Sequence, residues 1–322
     1  FPEDIRISIV VPLYKTDKYL LKELVDSVLA QTYENWEICV ADGSPMGKSC
    51  ERVLRRYADR DDRVKYLILG ENKGISGNTN AAMDMASGDF ILLADHDDTL
   101  TPNALYEVAK AINADPLNDV IYSDEDKLDM DGGALFEPHF KPDFDPDLLT
   151  STNYICHLFA VNRDLVEEVG QFDERFDGAQ DYDFIFRCTE KARKIYHIPK
   201  VLYHWRCHQG STASNPESKL YAFEAGARAI KAHFDRLGIE TESIEKGVDY
   251  GKYHVRFAIH GEPLVSVIIP NKDHTADLDV CVRSLMEKAT YKNLEYIIIE
   301  NNSTEPATFE YYEKLQRDHE NV

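Results

Sequence analysis

The sequence is poor in basic residues, in paired cysteines and in long apolar runs. It has 36 Lys and Arg against 58 Asp and Glu, and the net charge of −22 argues against nucleic-acid binding, which needs a basic face. The six cysteines form no C-x-x-C pair, and the opening Phe1–Asp4 lacks the pattern of a signal peptide. No apolar run approaches the ~18 residues that span a bilayer. We therefore expect a cytosolic protein with reduced thiols.

What the sequence does contain is ordinary core material. Hydrophobic residues make up 43% and charged residues 29% of the 322 residues, so the acidic excess does not indicate disorder. At roughly 150 residues per domain, this length predicts about two domains.

The opening of the chain recurs near its end. Residues 7–12 (ISIVVP) match 265–270 (VSVIIP), and 33–42 (YENWEICVAD) match 291–300 (YKNLEYIIIE), both at an offset of 258. Each pair encloses apolar residues at helical spacing, so the pattern predicts a β-α-β unit used twice. We interpret the second copy as the start of a second domain that continues in a longer protein. The alternative is a short accessory β-α-β unit.

The predicted organisation is a first domain at 1–237, a linker with short β segments at 238–262, and the beginning of a second domain at 263–322. In the first domain, predicted strands at 64–69 and 89–95 alternate with helices at 49–58 and 79–86, and a loop covers 71–79. This alternation predicts an α/β fold with a mixed, mostly parallel sheet and helices on both faces. Ligands bind such sheets at the carboxyl ends of the strands, where Asp42, Asn72 and Asp95 fall.

An acidic cluster, Asp95-His96-Asp97-Asp98, directly follows the apolar strand FILLA. Three carboxylates at one strand end repel each other unless a cation lies between them, and oxygen ligands suit Mg²⁺ or Mn²⁺. Helix capping by Asp98 or Thr99 is the alternative, but it explains one acid only.

Two other motifs carry weaker signals. The cluster around Asp124 and Asp126 fails the spacing of a calcium loop and predicts a solvated turn, with Asp124 or Asp126 as a weaker candidate for binding substrate hydroxyls. The segment 43–49 (GSPMGKS) has three residues between its glycines where a phosphate loop has four. We interpret it as a turn and keep an NTP-dependent kinase as a minor alternative.

Polar residues late in the first domain are further candidates. Asp181 precedes an apolar helix, where a carboxylate either caps the helix or faces a reacting hydroxyl. His204 and His208 flank an aromatic-rich segment after a strand, and two histidines beside an arginine raise the odds of a site.

Together these motifs resemble the inverting nucleotide-sugar glycosyltransferases of family two, which have the GT-A fold, and the tandem start resembles two-domain bacterial surface-polysaccharide transferases. The resemblance covers 5–237, and its opening recurs at 263–303. The motifs that carry it, in order, are SIVVPLY (8–14), the strand ending in Asp42, NKGISGNTNAA (72–82), LLADHDD (92–98), YSDEDK (122–127), FDGAQDYDF (176–184) and LYHWRCHQGSTA (202–213).

The resemblance implies roles for single residues. It implies that Pro12 to Tyr14 line the nucleotide base and that Asp42 hydrogen-bonds the base. The segment Gly77 to Asn80 departs from the more common A-R-N; Asn80 still matches, and Lys73 is the expected substitute for the missing arginine.

The resemblance further implies a metal site and a catalytic base. Asp95 is the first acid of the D-x-D motif, near ribose and metal, and Asp97 is the direct ligand of Mn²⁺ or Mg²⁺. His208 completes the metal site, with His204 as the alternative. Asp181 is the catalytic base, although the family often has Glu where this chain has Gln180.

The implied function is metal-dependent, inverting transfer of a hexosyl group from a nucleotide-diphosphate sugar to a hydroxyl of a glycan or lipid-linked glycan. UDP is the expected nucleotide, and dTDP stays open. The expected setting is bacterial surface-polysaccharide or glycoconjugate synthesis, in the cytoplasm or against the inner face of the membrane. A non-catalytic carbohydrate-binding or assembly module is a further alternative.

Overall fold

A computed structural model describes residues 1–130, 133–207, 216–249 and 251–322, and side chains are not described for 216–219. The chain divides into two compact units, Phe1–Phe257 and Ala258–Val322.

The first unit is built from alternating strands and helices. Its strands are β1 (Ile7–Leu13), β2 (Trp36–Asp42), β3 (Val64–Ile68), β4 (Phe90–Leu93), β5 (Thr99–Leu100), β6 (Asn118–Leu128), β7 (Leu135–His139), β8 (Phe159–Asn162), β9 (Lys194–Arg206), β10 (Thr241–Lys246) and β11 (Tyr253–Phe257). Its helices are α1 (Lys18–Leu29), α2 (Glu51–Ala58), α3 (Gly74–Met83), α4 (Ala104–Ala114), α5 (Pro146–Ser151), α6 (Arg163–Val169), α7 (Gln180–Lys191) and α8 (Pro216–Leu237), with a 3₁₀ turn at Glu174–Phe176.

One mixed sheet organises this unit, in the order β3-β2-β1-β4-β8-β6-β9-β5, with β7 on β6. The first four strands are parallel, as the alternation predicts. Strand β8 runs antiparallel between β4 and β6, which brings the segment that precedes it to the carboxyl end of β4.

The sheet is covered on both faces because its strands alternate their apolar side chains. In β1, Ile7, Ile9 and Val11 pack with α1, α2 and α4 on one face, whereas Val10 packs with α3 and α7 on the other. All four side chains are fully buried. This three-layer packing fixes the strand ends at which the polar residues gather.

Helix α3 begins at Gly74, inside the predicted loop, so that part of the prediction is wrong. Asparagine side chains satisfy the amides at its start: Asn72 Oδ1 accepts from Gly74 N at 3.1 Å, and Asn78 Oδ1 accepts from Lys73 N at 3.1 Å. These bonds replace the capping residue that a sequence search looks for.

The second unit consists of β12 (Val265–Asn271), α9 (Thr275–Lys288), β13 (Leu294–Glu300) and α10 (Pro306–Asp318). The two strands are parallel, with Val265 opposite Leu294 and Asn271 opposite Glu300. The offset of 258 converts the β1–β2 pairing, Ile7 with Trp36 and Leu13 with Asp42, into this register. The two β-α-β units therefore share strand order, direction and register.

Candidate active site

A cleft of about 350 Å³ opens at the carboxyl ends of β1 and β4. Its lining consists of Pro12, Leu13, Tyr14, Asn72, Ile75, Asn78, Asp95, His96 and Asp97. The structure thus brings together four of the predicted site residues, Pro12, Tyr14, Asp95 and Asp97, at the sheet edge where ligands of α/β folds bind.

Beside this cleft, Asp95, Asp98 and His157 present one ligand atom each within 4.8 Å of one another. Asp95 Oδ2 lies 3.5 Å from His157 Nε2. His157 comes from the segment before β8, and its ring stacks on Tyr203 with centroids 4.7 Å apart. The buried Nδ1 of His157 has no hydrogen-bond partner among the described residues.

The three groups of this cluster influence each other's ionisation. Burial opposes ionisation of Asp95, but His157 and His96 outweigh it and hold the pKa of Asp95 below its usual value. Burial, reinforced by the charge of Asp95, raises the pKa of Asp98 well above its usual value. Burial lowers the pKa of His157, but Cys156 and Asp95 outweigh it and raise the pKa well above normal. A cation bound among these groups would therefore compete with protons for Asp98 and His157.

Two residues of strand β9, Tyr203 and Arg206, hold the Asp95–Asp98 loop through hydrogen bonds. Tyr203 Oη donates to Asp98 Oδ2 at 2.6 Å and accepts from the amide of Asp95 at 3.0 Å. The buried Arg206 donates its amide to Asp98 Oδ1 at 2.7 Å and its Nε to the carbonyl of Asp97 at 2.6 Å. Both ends of the acidic loop are thereby fixed to the sheet.

The two carboxylates of this group are ligands that Mn²⁺ and Mg²⁺ prefer, and the imidazole of His157 adds a nitrogen ligand. This group shares Asp95 with the predicted metal set and adds Asp98 and His157. Asp97 lines the cleft next to it, and His96 Nδ1 lies 3.6 Å from Asp97 Oδ1. His208 lies outside the described residues. The alternative, His204, pairs through Nδ1 with Asp126 Oδ1 across β9 and β6.

Sequence reasoning missed His157 because no motif marks it. It lies in an apolar stretch, where a single histidine is most simply interpreted as part of the core. Its approach to Asp95 follows from the antiparallel pairing of β8 with β4. Asp98 could have been predicted as a ligand from its place in the acidic cluster 95–98, but helix capping was the role that the sequence suggested for it.

Asp181 lies in the first turn of α7 and is partly exposed. Its Oδ2 accepts a hydrogen bond of 2.9 Å from Asn153 Nδ2. Burial raises the pKa of Asp181, and the charge of Asp95 adds to this effect while His157 opposes it. A partly exposed carboxylate with a raised pKa is suited to accept a proton.

Asp42 is fully buried at the end of β2, and its carboxylate holds the following loop. It accepts from Ser44 N at 2.9 Å, Ser49 Oγ at 2.9 Å and Cys50 N at 2.8 Å. Lys48 is exposed, and its amide donates to the carbonyl of Pro45, as in a turn. The amides and the hydroxyl of this loop therefore bind a carboxylate of the protein itself. In a phosphate loop, such amides bind the phosphate of a ligand.

The four other predicted residues, Lys73, Gly77, Asn80 and Asp124, do not line the cleft. Asn80 exchanges two hydrogen bonds of 2.9 and 3.0 Å with the backbone of Phe172. Lys73 is exposed at the start of α3, and a Cβ at Gly77 would lie 2.6 Å from the Cβ of Lys73. Asp124 is buried and accepts from the amide of Lys141 at 2.9 Å.

Asp124 Oδ1 also lies 2.8 Å from His197 Nε2, so a buried partner already occupies this carboxylate. The roles in donor binding predicted for Lys73, Gly77, Asn80 and Asp124 stay predictions.

Several curated proteins are similar to this chain. It is 43% identical over 312 residues to an uncharacterized protein, y4gI, from Sinorhizobium fredii, covering 96% of this chain and 34% of that protein. It is 37% identical to the O-antigen biosynthesis protein RfbC from Myxococcus xanthus, covering 94% and 24%. It is 28% identical to a chondroitin synthase from Escherichia coli, covering 73% and 33%. The chain spans about a third or less of the length of these relatives.

Solved structures show the same fold. TarS 1–349 from S. aureus in complex with UDP-GlcNAc superposes with a TM-score of 0.53 at 18% identity, covering 72% of this chain and 73% of that one. The mannosyltransferase PcManGT from Pyrobaculum calidifontis, in complex with GDP-Man and Mn²⁺, superposes with a TM-score of 0.50 at 20% identity, covering 72% and 64%. These likenesses confirm the predicted α/β fold of the GT-A type.

The family model described as "Glycosyl transferase family 2" matches residues 8–170, which include the cleft, the acidic loop and His157. The match covers half of the chain, including strands β2 to β8. The chain belongs to glycosyl transferase family 2.

Proposed function

We propose that this chain transfers a hexosyl group from a nucleotide-diphosphate sugar, UDP-linked, to a hydroxyl of a glycan, with inversion at the anomeric carbon and with Mn²⁺ or Mg²⁺ as cofactor. The observation that carries the proposal is that Asp95 lines an open cleft at the strand ends and forms one cluster with Asp98 and His157. The charges of Asp95 and His157 also act on the ionisation of Asp181. Perturbed ionisable groups that share a cleft are typical of active sites.

The nucleotide lies in the cleft between Pro12, Tyr14 and the start of α3. Tyr14 is exposed by 42%, so the face of its ring that the Lys15 ammonium does not cover can contact a base. Asp42 is fully buried and accepts three hydrogen bonds from the loop that follows it, so the base contact that the resemblance implies for Asp42 would require that loop to move. UDP as the donor nucleotide is supported by TarS, which is similar in fold and was solved with UDP and with UDP-GlcNAc.

The metal would be held by Asp95 with Asp98 and His157, and the predicted set adds Asp97 and His208. When bound, it supplies positive charge for the diphosphate that leaves the sugar. PcManGT, solved with Mn²⁺, supports this assignment. Tyr203 and Arg206 keep the acidic loop in place, so little reorganisation accompanies binding.

Asp181 acts as the general base. Its carboxylate takes the proton of the acceptor hydroxyl while that oxygen forms a bond to the anomeric carbon. The bond from that carbon to the diphosphate oxygen breaks on the opposite face, and its electron pair leaves with the nucleotide. A single displacement inverts the anomeric carbon, and a positioned base contributes roughly 10²–10⁴-fold in rate.

The acceptor is a hydroxyl of a growing surface polysaccharide. The names of two relatives, an O-antigen biosynthesis protein and a chondroitin synthase, support a glycan. Among the described residues, no helix is long and apolar enough to cross a bilayer. Contact with the inner face of the membrane stays a prediction, as does a second glycosyltransferase domain that begins at 263.

A binding and turnover experiment tests the proposal. In a thermal-shift panel of nucleotide sugars with Mn²⁺, the donor stabilises the protein by mass action, and EDTA reduces that effect. Asp181→Asn is expected to bind the donor as the parent does and to lose transfer by 10²-fold or more. Transfer by Asp181→Asn at the parent rate would remove the base assignment, and donor binding unchanged by EDTA would remove the metal.

A further inference from the structure

Lys141 is a lysine whose side chain is completely buried, directly behind the candidate metal site. An ammonium group placed in the interior is costly unless each of its three N–H donors has a partner. The placement of Lys141 therefore has to be explained by what its Nζ holds.

Lys141 Nζ donates to two backbone carbonyls and one carboxylate. The carbonyl of Ile155 accepts at 2.6 Å, the carbonyl of His157 accepts as well, and Glu125 Oε2 lies at 3.3 Å. The two shorter contacts go to the backbone on either side of Cys156. The ammonium thus binds the turn 155–157 more closely than it binds its charge partner.

Cys156, at the centre of this turn, has a φ of 38°. Residues with a side chain rarely adopt this left-handed conformation, which needs support from its surroundings. The carbonyls of Ile155 and His157, on either side of Cys156, both meet the ammonium of Lys141. Lys141 supplies the support that the turn requires.

The turn 155–157 leads directly to the functional side chain. His157 leaves it with its Nε2 3.5 Å from Asp95 Oδ2 and its ring stacked on Tyr203. We infer that Lys141 is a positioning residue, which holds the turn 155–157 in its left-handed form and so presents the His157 imidazole to the Asp95–Asp98 loop. This inference rests on the proposed function, in which His157 helps to hold the metal.

A buried ion pair with Glu125 is the competing explanation. If Lys141 served mainly to neutralise Glu125, removing either residue of the ion pair would have the same effect on the site. If Lys141 serves mainly to hold the carbonyls of Ile155 and His157, removing Glu125 lowers stability but leaves His157 in place. Glu125→Gln is therefore the matched control for Lys141→Met, which keeps an unbranched side chain, one atom shorter, and removes its donors.

The experiment measures Mn²⁺ affinity by calorimetry and, without metal, amide hydrogen exchange in residues 153–160. Lys141→Met is expected to bind Mn²⁺ at least about tenfold more weakly, within the range for outer-shell partners of metal ligands, and to exchange faster in 153–160. Glu125→Gln is expected to stay within about twofold of the parent in both measurements. Equal losses in the two variants, or parent values in Lys141→Met, would overturn the inference.

A double variant covers the case in which Lys141→Met fails to fold. Glycine adopts the left-handed conformation freely, so Cys156→Gly in the Lys141→Met background is expected to restore folding and part of the Mn²⁺ affinity. A folded double variant without measurable Mn²⁺ affinity would overturn the inference, because the left-handed turn would then not be what Lys141 supplies to the site. If the parent itself binds no Mn²⁺, the proposed function fails, while the metal-free exchange data still test the turn.

Discussion

Glu37→Gln tests how much one buried carboxylate contributes to the sheet that carries the site. Glu37 has no exposed side-chain surface, at the end of the sheet opposite the cleft. Arg6 Nη2 lies 2.8 Å and Lys65 Nζ 2.6 Å from its Oε2. The hydroxyl of Ser8 and the amide of Ser87 donate to its Oε1. Burial alone would raise the pKa of Glu37, but these partners outweigh it and lower the pKa to about 2.

The magnitude follows from that pKa. At about 1.36 kcal/mol per pKa unit, a change from 4.5 to about 2 corresponds to roughly 3 kcal/mol of folding free energy at neutral pH. Because the folded-state pKa is the lower one, this stability is present above pH 4.5 and is lost as the pH falls towards 2. At pH 3 about 1.4 kcal/mol is left.

Denaturant unfolding followed by circular dichroism measures this loss. At pH 7, Glu37→Gln is expected to lower the free energy of unfolding by roughly 3 kcal/mol, or Tm by about 6–12 °C. The control is Glu34→Gln, at an exposed position in the turn before β2, with an expected change of about 0.5 kcal/mol or less. A loss below about 1 kcal/mol at pH 7, or a loss of the same size at pH 3, would refute the reasoning.

Three further predictions concern the site. In the parent, the hydrogen bond from Asn153 to Asp181 Oδ2 favours the ionised base. Asn153→Ala removes this donor, so the acid limb of the pH–rate profile is expected to move to higher pH. An unchanged profile would contradict this. Tyr203→Phe leaves the amide of Asp95 and the carboxylate of Asp98 without this partner. The variant is expected to lose about 1–3 kcal/mol of unfolding free energy and to bind Mn²⁺ more weakly. Parent values in both measurements would exclude the supporting role of Tyr203. Lys48→Ala changes an exposed residue of a turn and is expected to transfer sugar at the parent rate, whereas loss of activity would favour the kinase interpretation.

The sequence predicted those parts of the site that follow directly from strand ends. Asp95 and Asp97 come immediately after β4, and Pro12 and Tyr14 lie at the end of β1, so parallel pairing alone brings them to one cleft. The strands could be recognised because they are continuous β-branched runs, which buried parallel strands require.

The rest of the site depends on tertiary pairing and on side-chain partners. His157 reaches Asp95 through an antiparallel strand whose neighbour the sequence does not specify. The same holds for Arg206, which approaches the acidic loop from the last long strand of the sheet. For Asp42 and Asn80, the residue type agreed with ligand binding, but nearby backbone amides and carbonyls use most of their hydrogen-bonding capacity. Such competition is invisible without coordinates.

The shared register of the two β-α-β units has a consequence for how residues 258–322 would behave as a separate fragment. Val10, Cys39 and Ala41 are fully buried in the first unit, whereas their counterparts Ile268, Ile297 and Ile299 are exposed by 65%, 38% and 47%.

In the first unit, β3 and β4 pair with the outer edges of β2 and β1, and α3 covers this face. In the second unit, the helices α9 and α10 pack on one face of the two-stranded sheet. A small sheet with open edges and bare isoleucines is a template for pairing with other chains. Residues 258–322, expressed alone, should therefore be sparingly soluble, and charged residues at positions 268 and 297 should keep that fragment in solution.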